Sequence, residues 1–324
     1  MEDVRTVRID WYPPEPSTGA KSIVAIGTFD GVHLGHQAIL RSARRLAERL
    51  EARAVALTFD PHPRLVVAPD APPPLLLTPL SDRVALLREY GAEAVAVLGF
   101  DREVAALEPE TFVSSVLCAR LQCSGVVAGF NFTFGRDRSG TAATLREIGE
   151  KLGLVTEIVP PVQLQGQAVS SSLIRQLVER GEVEGAGQLL GRPYRVAGEV
   201  VRGEGRGRQL GYPTANIRPD PAQQLPGDGV YLALLDQMPA LAVVSTRPTF
   251  GPGARWLEVH VVEGSPSLYG RRSGVEFLRF LRPIRRFSGV DDLVAQIGVD
   301  RERALEYFAS ATEKRPRLLQ GGSV

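Results

Sequence analysis

The feature that most constrains this chain is a change of period. Up to about residue 180, short apolar runs alternate with stretches whose apolar residues recur every three or four positions; from Arg195 that alternation stops, and short strands separated by Gly and Pro follow. Ser22 to Phe29 is nearly continuous in apolar residues, as expected for a strand buried on both faces of a parallel sheet. Ile39, Leu40, Ala43, Leu46, Ala47 and Leu50 then line one side of a helix whose other side carries Arg41, Arg44, Arg45, Glu48 and Arg49. The pattern repeats, predicting strands at Ala54–Phe59, Ala94–Phe100 and Gly125–Phe130, and helices at Leu80–Tyr90 and Pro109–Leu121. This is an α/β doubly wound domain. Arg195–Gly203, Gly229–Asp236, Leu241–Phe250, Leu257–Glu263 and Gly274–Arg282 predict a small antiparallel β-barrel domain. A C-terminal helix over Asp291–Ser310 turns Leu293, Ile297 and Leu305 inward. The boundary falls in Gly181 to Pro193, giving domains 1–187 and 188–324, and 324 residues suffice for a core in each.

Composition narrows the function. Hydrophobic residues at 44% and charged residues at 23% exclude disorder, collagen and coiled coil. The 38 Lys+Arg against 37 Asp+Glu argue against a dedicated nucleic-acid or membrane-surface protein and for small-molecule partners. The two cysteines, Cys118 and Cys123, read as lying on one helix. They cannot make a disulfide framework and lack the His or acidic company of a zinc site, so they read as buried apolar thiols in a reducing compartment. The acidic N-terminus has no apolar leader and no stretch approaches a membrane span, which predicts a cytoplasmic protein.

In doubly wound sheets ligands bind beyond the carboxyl ends of the strands. After the first strand comes Gly27-Thr28-Phe29-Asp30-Gly31-Val32-His33-Leu34-Gly35-His36, leading straight into a helix. His33 and His36, three apart at a helix start, would sit beside free backbone N–H groups and the positive dipole end, and there they can stabilise charge on a phosphate during in-line displacement. Two surface histidines at a helix start are the plain alternative for so short a motif. The second strand ends in Thr58-Phe59-Asp60-Pro61-His62-Pro63-Arg64, a stiff polar turn. A later strand runs into Gly129-Phe130-Asn131-Phe132-Thr133-Phe134-Gly135, whose amide suits a nucleotide and whose phenylalanines read as core packing. Ser170-Ser171-Ser172 precedes a helix from Leu173 to Arg180: either a serine helix cap with a solvated Arg175, or a second anion site.

The barrel half has its own constellation. Gly203, Gly205 and Gly207 alternate with charged residues in a loop suited to close over phosphates, or in an ordinary long connection. Pro213-Thr214-Ala215-Asn216 sets a hydroxyl beside an amide, an oxygen pair fit for magnesium bridging nucleotide phosphates. In Trp256-Leu257-Glu258-Val259-His260-Val261, period two turns Leu257, Val259 and Val261 to the core and Glu258 to the opposite face, where a carboxylate is either solvated or a base for a substrate hydroxyl.

Taken together, these segments resemble the bifunctional riboflavin kinase/FAD synthetase family, in the family's order, from about Ile23 to Phe308. The resemblance implies an α/β doubly wound nucleotidyltransferase (Rossmann-like) domain transferring AMP from ATP to FMN, followed by an antiparallel barrel phosphorylating riboflavin. It implies that His33 and His36 bind the ATP phosphates within a turn that includes Gly27, Phe29, Asp30 and Gly35. Ser171, Ser172 and Arg175 would hold the pyrophosphate end, and Pro61, His62, Asn131 and Arg247 would meet flavin. In the barrel it implies Glu258 as base, Thr214 and Asn216 at Mg2+ with ATP, and Gly203 and Gly207 in the loop over it. The family usually has Thr at Ser172, Gly at Ser245 and Asp at Ser267, with an acidic residue displaced here to Glu263. The implied partners are ATP, riboflavin, FMN and FAD, with no nucleic acid and no membrane, in a monomer or weak homo-oligomer.

Three other readings compete. One is a synthetase whose barrel is a non-catalytic flavin-binding appendage, against which an intact Glu258 and Pro-Thr-Ala-Asn speak. An aminoacyl-tRNA synthetase element at His33–His36 lacks a lysine-rich second loop. A nucleotide sensor or RNA-binding module does not fit the neutral charge.

Overall fold

The structure, a computed structural model, describes residues 7–14, 20–203, 207, 210–246, 255–264 and 266–314, with side chains as far as 310. It separates into two compact units, residues 1–173 with 189–191, and residues 174–188 with 192–324.

The first unit is a six-stranded sheet of β1 (Ile9–Tyr12), β2 (Ser22–Ile26), β3 (Arg53–Asp60), β4 (Ala94–Gly99), β5 (Cys123–Gly129) and, after the two-residue pieces β6 (Thr133–Phe134) and β7 (Gly140–Thr141), β8 (Val155–Val159). The order is β1-β4-β3-β2-β5-β8, parallel throughout except that β1 pairs antiparallel with β4 at the edge. Strand order reverses between β2 and β5, the switch point at which such sheets open a ligand crevice.

Both faces are covered, which is why the strands read as unbroken apolar runs. Residues Ile39, Leu40, Ala43 and Leu46 of α1 (Leu34–Arg49) pack with Val84 and Leu87 of the later helix Leu80–Glu89 against Ile23, Ala25, Val95 and Val127. Val113, Val116 and Leu117, with Leu145 and Ile148, cover Val24, Ile26, Leu57 and Val126 on the other face. The intervening helices are α2 (Pro63–Val67), α3 (Leu80–Glu89), α4 (Arg102–Ala105), α5 (Pro109–Thr111) running into a π-helix (Phe112–Arg120), and α6 (Ala142–Leu152). A hairpin of β9 (Gln163–Leu164) and β10 (Gln167–Ala168) precedes α7 (Ser171–Glu179) and α8 (Val183–Leu190).

The second unit is a closed barrel of β11 (Tyr194–Val201), β12 (Ala215–Pro219), β13 (Gly229–Leu235), β14 (Met238–Thr246), β15 (Arg255–Val261) and β16 (Arg272–Arg282), in the order β11-β12-β15-β14-β13-β16. Tyr231, Ala233, Ala242, Val244, Leu257, Val259, Val275 and Phe277 are fully or almost fully buried and belong to the inward-facing set. On the outer face, Val230, Leu232 and Leu241 pack against Ala304, Leu305 and Phe308 of α9 (Val290–Lys314). Arg282 of β16 anchors that helix through Nε and a terminal nitrogen to Asp300, at 2.9 and 2.7 Å.

Several expectations need correction. Cys118 lies on the π-helix but Cys123 opens β5, so the two thiols do not share a helix. Both are free, and burial pushes the Cys123 thiol up to about 12. The lead-in contributes edge strand β1, α6 and β8 complete the first unit after β5, and α8 falls almost wholly in the second unit. The barrel has a sixth strand, β12, where Pro213 and the polar Thr214 and Asn216 mask the period. The end of the expected strand Leu241–Phe250, residues 247–250, lies outside the described residues.

Candidate active sites

In the first unit β2 stops at Ile26, and the following turn is built on residues of positive φ: Phe29 (52°), Gly31 (87°) and Val32 (41°). Phe29 and Val32 are fully buried and hold this strained turn from beneath. Gly27 begins the turn, its N–H donating to Leu57 O at 3.2 Å. His33 is the N-cap of α1, its Nδ1 accepting from the His36 N–H at 3.3 Å. Nδ1 as acceptor leaves the proton of a neutral His33 on Nε2. The two imidazoles stack with centroids 3.6 Å apart, and Gly35 lies between them in sequence, where a Cβ would come within 3.1 Å of His33 Cε1. Phe29 meets His36 edge-on at 5.2 Å. The pair therefore stands at a helix start, where the amides that His33 does not take up suit an anion.

Asp30 is 1% exposed, and its carboxylate accepts from Leu77 N (3.1 Å) and Thr78 N (3.0 Å). The charge thus faces main-chain amides. Its carbonyl accepts from Ser171 Oγ at 2.8 Å, tying the head of α7 to this turn. Ser171 and Ser172 belong to the first turn of α7 and Ser170 supplies the cap, donated to by Leu173 N at 3.3 Å. Arg175, four residues beyond Ser171, lies on the same side of the helix. The Arg175 carbonyl accepts from Gln224.

Neighbouring β3 carries the second loop. Pro61 is exposed, and His62 caps α2 with Nδ1 accepting from Arg64 N at 3.2 Å. On the other side β5 delivers Asn131, exposed, with Phe130 half-exposed beside it. Phe132 and Phe134 stack at 5.4 Å as core, whereas Phe130 departs from the core packing expected of it. Sheet order thus places Gly27–His36 between the Pro61–His62 and Phe130–Asn131 loops.

Sequence reasoning passed over Arg83. This α3 arginine is 1% exposed and reaches from the first turn to the end of β3 that leads into the second loop, NH1 to Thr28 O (2.9 Å) and NH2 to Phe59 O (3.2 Å). Burial pushes its pKa down, and the fields of Asp30 and Asp60 push it back up. The available signal was a charged residue at the position shared with Leu80, Val84 and Leu87 on the apolar side of α3. An open groove of about 530 Å³ lies along α1 and the edge strand β8, lined in part by Arg41, Arg45 and Arg146, and includes none of the candidate site residues.

In the barrel, register builds the second constellation. Asn216 of β12 stands directly opposite Glu258 of β15, which is in turn opposite Val243 of β14. Leu257, Val259 and Val261 are buried, so Glu258 occupies the outer face, as period two predicts. Gly203 packs directly on the Asn216 amide, so closely that a Cβ would overlap it, and a Cβ on Gly207 would overlap Tyr212 O and come within 3.2 Å of Thr214 Oγ1. These glycines are required by close approach to the two candidate ATP residues. His260, one pleat along from Glu258, holds Pro213 O through Nδ1 at 3.0 Å and meets Tyr212 edge-on at 5.5 Å, fixing the segment that leads into Thr214. His260 was not anticipated as part of this site. Arg247 lies outside the described residues.

The FAD synthetase family pattern matches residues 15–173 and the riboflavin kinase pattern residues 190–308. A bifunctional riboflavin kinase/FMN adenylyltransferase of Bacillus subtilis is 34% identical over 299 residues, covering 90% of this chain and 94% of its own length. The chain belongs to the bifunctional riboflavin kinase/FMN adenylyltransferase family. The relative of the same description from Escherichia coli K12 is 34% identical over 291 residues (88% and 92% covered), and that of Pseudomonas fluorescens is 36% identical over 283 (86% and 90%). A solved structure described as a macrolide-efflux protein from Streptococcus pneumoniae aligns with TM-score 0.82 at 31% identity, over 94% of this chain and 97% of that one. That description stays with that protein; among the described residues here no helix is long and apolar enough to cross a membrane. As a member of this family, the chain uses ATP in both halves: the C-terminal riboflavin kinase makes FMN, and the N-terminal FMN adenylyltransferase makes FAD.

Proposed function

We propose the following division of labour, with the module boundary at 187/188. In the adenylyltransferase, the turn containing Gly27, Phe29, Asp30 and Gly35 receives the ATP phosphates, and Asp30 contributes through its main chain. A phosphate oxygen of FMN attacks the α-phosphorus, the bond to the β-phosphate bridge breaks, and pyrophosphate leaves with the electron pair. His33 and His36 stabilise the charge on the α-phosphate, while Ser171, Ser172 and Arg175 of α7 hold the departing pyrophosphate. Pro61, His62 and Asn131 border the flavin. In the kinase, the terminal ribityl hydroxyl of riboflavin attacks the γ-phosphorus as Glu258 accepts its proton, and ADP leaves. Thr214 and Asn216 hold the phosphates together with Gly203 and Gly207, and Arg247 is assigned to flavin.

The observation that carries the kinase assignment is the cross-strand pairing of Asn216 with Glu258, an amide and a carboxylate side by side on the outer face. The donor set fits magnesium: a hydroxyl and an amide oxygen are hard, neutral ligands, and Mg2+ keeps water and phosphate oxygens for its other positions. Among the described residues no group of three or more His, Cys, Asp or Glu could hold a metal, which suits an ion arriving with ATP. Bound there, Mg2+ would neutralise phosphate charge. We further infer a cytoplasmic monomer or weak homo-oligomer that binds no nucleic acid, supported by the near-zero net charge and two unpaired thiols.

Product chromatography with ATP, magnesium and either flavin tests this. His36→Ala stops at FMN and Glu258→Ala makes FAD only from FMN, each losing its own step by about 100-fold to 10,000-fold. Full FAD synthesis by His36→Ala, or full phosphorylation by Glu258→Ala, removes that residue from its role.

A further inference from the structure

We propose that Arg83 is a positioning residue for adenylyl transfer, its single guanidinium setting the distance between the first turn and the end of β3 from which the second loop departs. The inference rests on the reading of Gly27–His36 as the ATP turn and Asp60–His62 as a flavin loop.

A guanidinium withdrawn from water is expensive to place in a core, and cores rarely keep one unless its geometry is needed. The two hydrogen bonds of Arg83 go to main-chain carbonyls, Thr28 O at 2.9 Å and Phe59 O at 3.2 Å. Thr28 lies two residues beyond β2 and five before His33; Phe59 lies three before His62. Within β2 and β3 the ladder fixes their separation, ending with Ile26 opposite Leu57 and the Gly27 N–H on Leu57 O. Beyond that point only side chains can do so. Arg83 spans the gap with a rigid fork of donors that no apolar residue could supply. Thr58 Oγ1 donates to the same Thr28 carbonyl at 3.0 Å, a second and shorter tie between the two strand ends. Asp30 adds the third, joining the turn to Leu77 and Thr78 just before α3, the helix that carries Arg83. The ATP turn, the flavin loop and α3 thus form one hydrogen-bonded frame with Arg83 at its centre.

In-line transfer depends on holding attacking and departing groups in register, and a displacement of about 1 Å at a distance from the chemistry can lower rate about 100-fold. Each loop without the clamp still binds its own substrate, so the loss falls on kcat.

The test is steady-state kinetics of Arg83→Met, Arg83→Lys and Thr58→Val in the full chain, with riboflavin phosphorylation by the same molecules as control. Arg83→Met is expected to lower kcat for FAD formation about 100-fold, with KM for ATP and for FMN within about threefold and phosphorylation unchanged. Arg83→Lys restores about a tenfold part of the loss, because one ammonium can donate to either carbonyl. Thr58→Val, isosteric and melting normally, lowers kcat about threefold. The loss must persist well below the unfolding transition, where a merely destabilised unit would be fully folded and active. Wild-type kcat in Arg83→Met, loss that vanishes on cooling, or equal rates for the Lys and Met proteins would overturn the proposal. Should Arg83→Met fail to fold, the Lys and Thr58→Val proteins decide it, and wild-type kcat in both is refutation. If His36→Ala makes FAD at full rate, the reading of the ATP turn fails instead, a different signature.

Discussion

The two units place their candidate phosphate-handling residues in opposite ways. In the parallel unit they stand on loops beyond the strand ends, and their spacing depends on polar ties outside the ladder: the His33 cap, the Asp30 carboxylate on Leu77 and Thr78, and the Arg83 clamp. In the barrel the central pair stands on strands, where register alone sets Asn216 opposite Glu258, and Gly203 packs on the Asn216 amide. A site on loops is adjusted by side-chain hydrogen bonds; a site on strands is adjusted by backbone pairing and by what space remains above it.

The contrast can be broken most forcefully at Arg282. Its side chain is 13% exposed and that of its partner Asp300 only 3%, so Arg282→Ala leaves a buried carboxylate without its counter-charge, held only by Gln296, and should destabilise the barrel by about 3 kcal/mol. In thermal unfolding the barrel transition falls, and riboflavin phosphorylation is lost at lower temperature than FAD formation from FMN. Next is Gly203→Ala, whose Cβ would overlap the Asn216 amide. It should lower riboflavin phosphorylation about 100-fold by displacing the Asn216 side chain, while leaving FAD formation from FMN and the melting of the other unit unchanged. Equal loss in both activities would show that the units do not hold separate sites.

The smallest effect is a pH dependence. Burial pushes the Tyr231 hydroxyl of the barrel and the Cys123 thiol of the sheet up to about 12, from ordinary values of 10.0 and 9.0. A raised folded-state pKa contributes stability present below the unfolded value and lost as pH rises through the folded value. Stability therefore drops from about pH 9 to 12 through Cys123 and from about pH 10 to 12 through Tyr231. Tyr231→Phe removes only the barrel's share and costs about 1 kcal/mol at neutral pH for the lost hydrogen bond to Gly227 O. Denaturant melts across that pH range separate the two.

What was legible depended on how local the signal was. The runs at β2 to β5, the amphipathic face of α1 and the glycine-histidine turn declare themselves within a dozen residues, because burial on both faces and helix capping leave short-range marks. β12 did not, since its pairing with β11 and β15 compensates for a polar, proline-led sequence. Nor did β1, which is only an edge partner for β4. Ser171 was legible as a helix cap or as part of a candidate anion site, but its bond to the Asp30 carbonyl joins residues 141 positions apart.

By itself the amino-acid sequence determined the two architectures, the order of the motifs and the residue types available for chemistry, because periodicity, turn residues and helix caps act over a few positions. Only the tertiary structure decided which of those residues meet. It turned Asp30 away to cap Leu77 and Thr78, set Asn216 against Glu258, brought Gly203 onto Asn216, and sent a charged α3 side chain into the core to hold Thr28 and Phe59. Those pairings depend on strand order, register and excluded volume, which are properties of the packed chain and leave no periodic mark along it.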